Sequence, residues 1–215
     1  MEDKIRITME SLRQNGMEAF FVEKGDEVAD KIAEIIKPGD TVGVGGSVTL
    51  EQTKVLDMLR SGKYRFLDRY APVLSGDDIR RIFFESFDAD VYISSANAVT
   101  MNGELYNVDG RSNRVAAISY GPRKVIIVAG INKIVPDLNA AVKRVKAIAA
   151  PKNCVRLERK TYCSEKGYCQ GIDSGEMTAG CSSPDRICRS YVVTGKQYTS
   201  GRIKVILVGE ELVLL

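Results

Sequence analysis

Thr41-Val42-Gly43-Val44-Gly45-Gly46-Ser47-Val48-Thr49-Leu50 decides how this chain reads. A short apolar strand runs straight into Gly45-Gly46-Ser47, and Leu50, Val55, Leu56 and Leu59 then mark the apolar face of a helix. Glycines at such a junction let the backbone turn with its N–H groups exposed. The hydroxyls of Ser47 and Thr49 can cap the helix or hydrogen-bond an anion. The stretch lacks the dinucleotide fingerprint, since aligning Gly43 and Gly45 with its first two glycines puts Val48 at the third. It also lacks the Gly-Lys-Ser of a P-loop. Two readings stand: a tight strand-to-helix turn with Ser47 as N-cap, or a seat for a phosphate or carboxylate.

The same alternation continues on both sides. Ile5, Met9 and Leu12 space a helix that ends at Asn15-Gly16, Ala19 to Val22 is a strand, and Val28, Ile32, Ile35 and Ile36 mark a helix stopped at Pro38-Gly39. Strands follow near 64–67 and 90–94, with a helix at about 77–87 between them. Asn102-Gly103 is a hairpin turn signal before Glu104-Leu105-Tyr106. A helix near 114–120, a strand at 124–129, a helix at about 138–148 and a last strand at 202–208 complete the order. Strands apolar throughout, alternating with helices, predict an α/β, Rossmann-like, largely parallel sheet with helices on both faces. Residues 1–215 read as a single domain, with residues 151–190 a cysteine-rich, irregular insertion before the last strand.

Composition narrows the function. The 215 residues hold 31 Lys+Arg against 28 Asp+Glu, a net charge of +3, too balanced for a nucleic-acid partner. Histidine is absent, which excludes Ser-His-Asp and Cys-His nucleophile systems and any imidazole-based zinc site. Proton transfer falls to Asp, Glu, Lys, Tyr or Cys. The charged N-terminus lacks a signal-peptide pattern, and the strongest apolar run, Val125 to Ala129, is far short of the about 20 residues that span a bilayer. These features predict a cytoplasmic protein with no membrane partner.

The second polar cluster runs from Ser95 to Arg114. Asn107, Asp109 and Asn113 are candidates to bind a ligand's hydroxyls, Arg111 or Arg114 to pair with its anionic group, and Asn97, Asn102 and Gly103 complete the ligand-binding candidates. Turn chemistry explains the Asn-Gly and Asp-Gly pairs equally well. Lys133, in Gly130-Ile131-Asn132-Lys133, reads as a substrate-binding cation or as a solvated loop lysine.

Three segments together resemble a known family. They are Asn97-Ala98-Val99-Thr100-Met101-Asn102-Gly103-Glu104-Leu105, then Asp109-Gly110 with Asn113-Arg114-Val115-Ala116, then Gly121-Pro122-Arg123-Lys124 leading into Val125 to Gly130. With Gly45-Gly46-Ser47, Asn132-Lys133-Ile134-Val135 and Ser183-Pro184-Asp185-Arg186-Ile187-Cys188, the chain is similar to the LUD-domain (lactate utilisation) family over most of its length. More distantly it resembles the glucosamine-phosphate deaminases, ribose-phosphate isomerases and CoA transferases. The resemblance implies a Rossmann-like sheet with both polar clusters at one edge, and a role in oxidising lactate to pyruvate beside iron–sulfur partner proteins. It transfers no catalytic residue.

The carboxylates near the presumed crevice are Glu51, Glu104 and Asp109, the candidate catalytic residues. A CoA-transferase nucleophile at Glu104 is disfavoured, because the order here is Asn-Gly-Glu and not Glu-Asn-Gly. The expected ligand is a small anionic metabolite, a phosphate, a carboxylate or a CoA-type ligand, at Gly45, Gly46, Ser47, Thr49, the Asn97–Arg114 cluster and Lys133. The alternatives are a non-catalytic subunit of an iron–sulfur oxidoreductase and a sugar-phosphate isomerase-like enzyme, and a homo-oligomer fits any of these.

Five cysteines complete the inventory. Cys154 stands alone, while Cys163, Cys169, Cys181 and Cys188 are separated by five, eleven and six residues. Four thiols in a short irregular stretch are candidate ligands for zinc or an iron–sulfur cluster, although no Cys-x-x-Cys knuckle is present. Free or reversibly paired thiols are the alternative.

Overall fold

In strand β7 (Lys124–Gly130), Val125, Ile127 and Ala129 pack into one apolar cluster while Ile126 and Val128 pack into another. A strand buried on both faces must lie inside a covered sheet. In the computed structural model, which describes residues 3–212, β7 pairs in parallel with β10 (Ile203–Val208) and β4 (Val91–Ser94). With β1 (Glu18–Val22), β2 (Thr41–Val44) and β3 (Arg65–Phe66) they form six parallel strands in the order β1-β10-β7-β4-β2-β3.

Period two along the strands meets the helical period on each side. Helices α1 (Asp3–Gln14) and α6 (Asn113–Ser119) bury Ile5, Met9, Leu12, Ala117 and Ile118 against the Val125 face. Helices α2 (Val28–Ile35), α3 (Val48–Gln52) and α4 (Val55–Leu59) bury Val28, Ile32, Leu50, Val55 and Leu59 against the Ile126 face. Each such aliphatic side chain contributes about 1.5–3 kcal/mol by leaving water. The Rossmann-like α/β arrangement with helices on both faces is therefore present. Helix α5 (Gly76–Glu85), capped by Ser75, lies before β4 and buries no residue fully.

A second sheet was not anticipated from the sequence. Strands β5 (Ala98–Thr100), β6 (Leu105–Asp109), β8 (Ile134–Val135) and β9 (Ser190–Thr194) assemble in the order β8-β5-β6-β9. β6 runs antiparallel to both neighbours, and β5 and β8 are parallel. The Asn102-Gly103 turn makes the β5–β6 hairpin with Gly103 at φ +80°, and a Cβ there would meet the Ser11 and Leu12 backbone at 2.5–2.6 Å. The turn therefore packs onto α1.

The helix expected to end near residue 148 continues. Helix α7 (Leu138–Arg144) passes through a π-helical turn, Val145–Ala149, into α8 (Ala150–Arg156). The wider turn sits where Pro151 removes a backbone donor, so the helix survives the proline. Residues 151–190 are thus irregular only in part, since α8 and α9 (Tyr162–Lys166) precede the coil. That segment leads first into β9 of the second sheet and only then into β10.

Candidate functional site

Strands β7, β4 and β2 are consecutive neighbours and parallel, so their carboxyl ends emerge side by side. Gly45-Gly46-Ser47 leaves β2, Ser95-Ala96-Asn97 leaves β4, and a 3-10 turn, Ile131–Lys133, leaves β7. Ligands of open α/β sheets bind at this edge. Here the edge opens into a crevice of about 380 Å³, walled by Gly46–Thr49, Ser95–Asn97, much of Val108–Arg114, and Lys133. The two polar clusters of the sequence therefore meet in space. The opposite wall comes from residues no motif marked, Arg69, Phe83, Asn153, Arg156 and Arg159, together with Cys188.

Charge in the crevice is one-sided. Arg69, Arg111, Arg114, Lys133, Arg156 and Arg159 line it, and Asp109 is the one carboxylate among its lining residues. Asp109 is spent: its carboxylate accepts from Arg114 Nε (2.8 Å) and from the backbone N–H groups of Arg114 (3.1 Å) and Val115 (3.0 Å). It caps α6 and neutralises Arg114.

Arg114 is not the free cation expected from the sequence. Besides Asp109, its guanidinium donates to Ser95 O (2.9 Å), Asn107 Oδ1 (2.6 Å), Asn97 Oδ1 (2.9 Å) and Val108 O (3.0 Å). With all five donors committed, it ties the exit of β4 to the end of β6. Asn97 and Asn107 are accordingly scaffold: Asn97 Oδ1 also accepts from Val108 N (2.9 Å), and Asn107 lies outside the crevice lining with its buried Nδ2 unpartnered. Arg69 stacks over Phe83, its guanidinium carbon 4.8 Å from the ring centre, which holds the charge at the mouth.

Other candidates sort by position. Ser47 occupies the N-cap position of α3, yet its side chain makes no capping bond, which leaves the hydroxyl facing the crevice. Gly45 is a packing glycine, since a Cβ there would stand 2.4 Å from Ser94 Oγ and 3.1 Å from Arg114 Cδ. Gly46 has space for a Cβ, 3.5 Å from Arg69. Asn113 lines the crevice from the first turn of α6. Asn102, Gly103 and Glu104 lie away from it: the backbone carbonyls of Asn102 and Gly103 accept from Asn15, and the Glu104 carboxylate accepts from Thr100 Oγ1 at 2.7 Å. Glu51 is exposed on α3 and also outside.

Lys133 is no solvated loop lysine. It is 2% exposed, and its Nζ donates to Thr49 Oγ1 (3.2 Å) and Ser95 Oγ (2.9 Å). Burial pushes its pKa down to about 7, helped by the Arg144 and Arg114 charges. Arg144 lies behind it, donating to Asn132 O (3.2 Å) and Asn97 O (2.6 Å), with Nη2 buried and unpartnered.

The cysteines gather at a second, smaller cavity of about 20 Å³, lined by all five. Cys154 does not stand alone: its sulfur lies 3.7 Å from that of Cys163, and both are buried. The contact between the two sulfurs pulls the Cys163 thiol down and pushes the Cys154 thiol up, which burial raises further. Burial and the neighbouring thiols push Cys188 up to about 12. As placed, no three His, Cys, Asp or Glu side chains among the described residues converge to hold a metal ion. The space between the thiols is about that of one water.

Fold and site together define a Rossmann-type α/β protein with a cationic crevice at the carboxyl ends of its parallel strands. The chain belongs to the LUD-domain family, whose model matches residues 5–208, a family related to the lactate utilisation proteins. Its fold is similar to that of a DUF162 family protein from Deinococcus radiodurans, with 16% identity, 96% of each chain covered and a TM-score of 0.51. Ribose 5-phosphate isomerase A from Methanocaldococcus jannaschii matches at 14% identity and a TM-score of 0.44, over 87% of this chain and 94% of that one. No curated protein matches the sequence. Among the described residues no helix is long and apolar enough to cross a membrane.

Proposed function

We propose that the crevice binds a small metabolite carrying a phosphate or carboxylate, in a role tied to lactate utilisation. The observation that carries this reading is the charge count: five arginines and Lys133 line the crevice against one carboxylate that Arg114 already neutralises. Arg111 and Arg159 make no side-chain bond to any described residue, so they are available to a ligand. Phosphate and carboxylate both suit such an array, because guanidinium groups bind them through paired hydrogen bonds. Thermal melting tests it with inorganic phosphate, ribose 5-phosphate, lactate, pyruvate and acetyl-CoA in turn. At least one raises the melting temperature of the wild type, and Arg69→Ala with Arg111→Ala removes the rise. No rise from any of them rejects the reading.

The thiol-lined cavity favours a second reading, in which the chain serves an iron–sulfur oxidoreductase as a subunit. Cys188 lines both cavities, so the thiol-lined cavity and the crevice share a wall. Purification without oxygen tests this: stable co-purification with an iron–sulfur redox protein supports it, and a chain that elutes alone rejects it.

A further inference from the structure

We propose that Lys133 is a covalent nucleophile, whose amine captures the carbonyl carbon of an anionic 2-oxo acid or sugar phosphate as an imine. The inference rests on the anion-binding reading of the crevice and names the chemistry performed there. Three observations carry it. First, the amine lies in the crevice wall at 2% exposure. Second, no carboxylate serves it: Asp109 is committed to Arg114 and the start of α6, and the charged neighbours acting on Lys133 are Arg144 and Arg114. Third, its hydrogen bonds number two, to Thr49 Oγ1 and Ser95 Oγ. An ammonium carries three N–H donors and would leave one buried and unserved beside two guanidinium groups. A neutral amine carries two N–H groups and one lone pair, which matches two hydroxyl acceptors and leaves the lone pair for the crevice. A depressed lysine pKa of about 7 is consistent with that form.

The step balances without a redox partner. The Nζ lone pair adds to the carbonyl carbon while the C=O pair moves to oxygen. A proton leaves nitrogen for that oxygen, relayed through the Ser95 or Thr49 hydroxyl, giving a carbinolamine. Loss of hydroxide with a second proton from nitrogen then yields the C=N bond and one water, and hydrolysis reverses the step. Arg69 and Arg111, at the mouth, suit the anionic end of a ligand whose carbonyl reaches Lys133.

The experiment is reductive trapping on the full chain at pH 7 with cyanoborohydride, using pyruvate in one arm and ribose 5-phosphate in the other. The expected result is about one reduced adduct per chain from at least one probe, mapped to the peptide holding Lys133 and absent from heat-unfolded protein. Mapping on the wild type assigns the site independently of any variant, and Lys133→Met should lose the adduct at least tenfold. Lactate, which has no carbonyl to trap, separates the two claims by thermal shift alone. A melting shift from any anion with no adduct at Lys133 overturns the nucleophile and leaves the crevice standing. Adducts spread over surface lysines overturn it too. The absence of both shift and adduct overturns both.

Discussion

Lys133 Nζ stands 2.9 Å from Ser95 Oγ, which joins the turn after β7 to the exit of its neighbour β4. The contact places a buried amine at the meeting point of two parallel strands, where the fold itself opens a crevice. Its protonation has a consequence for stability. Lys133 is depressed to about 7 in the folded chain and titrates near 10.5 when exposed, so between those values unfolding takes up a proton. Stability should rise with pH across that window, by at most about 1.4 kcal/mol per unit. Below pH 7 the cost of burying this lysine is fully present. Urea unfolding at pH 7, 8 and 9 checks this against Lys133→Met, whose curve should lack that component of the rise. Parallel pH profiles would contradict it.

Arg114 and Asp109 form a buried ion pair whose side chains are 11% and 9% exposed. Removing one partner strands the other's charge, which costs about 3–5 kcal/mol. Arg114→Met should therefore lose stability on that scale, and Arg114→Lys should recover only part, because lysine cannot serve five acceptors in one plane. Denaturant titration reads both, and a loss within about 0.5 kcal/mol would show that the clamp is not structural.

The glycine turn offers a matched pair. Gly45→Ala forces a Cβ to 2.4 Å from Ser94 Oγ and to 3.1 Å from Arg114 Cδ, and should destabilise by about 1–3 kcal/mol. Gly46→Ala meets its nearest atom at 3.5 Å and should stay within about 0.5 kcal/mol of wild type. Equal melting temperatures for the two variants would mean that Gly45 is not close-packed.

Of the three acidic candidates, Glu51 and Glu104 lie outside the crevice. Glu51→Gln and Glu104→Gln should leave any ligand-induced melting shift at its wild-type size. A lost shift in either would place a carboxylate in the site.

Thiol burial orders reactivity. Cys154 and Cys163 are 1% and 6% exposed, while Cys169, Cys181 and Cys188 are partly exposed. Iodoacetamide should label Cys169 and Cys181 first and Cys154 last, read by peptide mass. If an ion seats among the thiols, zinc should slow labelling of Cys163, Cys169, Cys181 and Cys188 together. Fast labelling of Cys154 in folded protein would contradict the packing of α8 on α9.

Element order was legible because it is local. The apolar run at 125–129, the spacing of Ile5, Met9 and Leu12, and the glycines after β2 each declare their structure within a few residues. What stayed hidden depends on contacts distant in sequence. Arg114 looked like a ligand's partner because nothing near it in the chain shows that Ser95 and Asn97 would consume its donors. Lys133 reads as either a substrate-binding cation or a loop lysine because its hydroxyl partners are 84 and 38 residues away. Cys154 looked solitary because a helix, not a knuckle, brings it to Cys163. The far wall from Arg69 to Arg159 carried no motif, and only a concentration of basic residues around α8 hinted at it.

The most direct test of the cationic crevice is isothermal titration of the reduced protein with inorganic phosphate, ribose 5-phosphate, lactate and pyruvate at low salt. The account expects saturable binding of at least one anion at one site per chain, with Kd below about 1 mM, equivalent to about 4 kcal/mol. It also expects that binding to be lost in the Arg69→Ala, Arg111→Ala double variant. Absence of saturable heat from all four, or binding unchanged in the double variant, would contradict it.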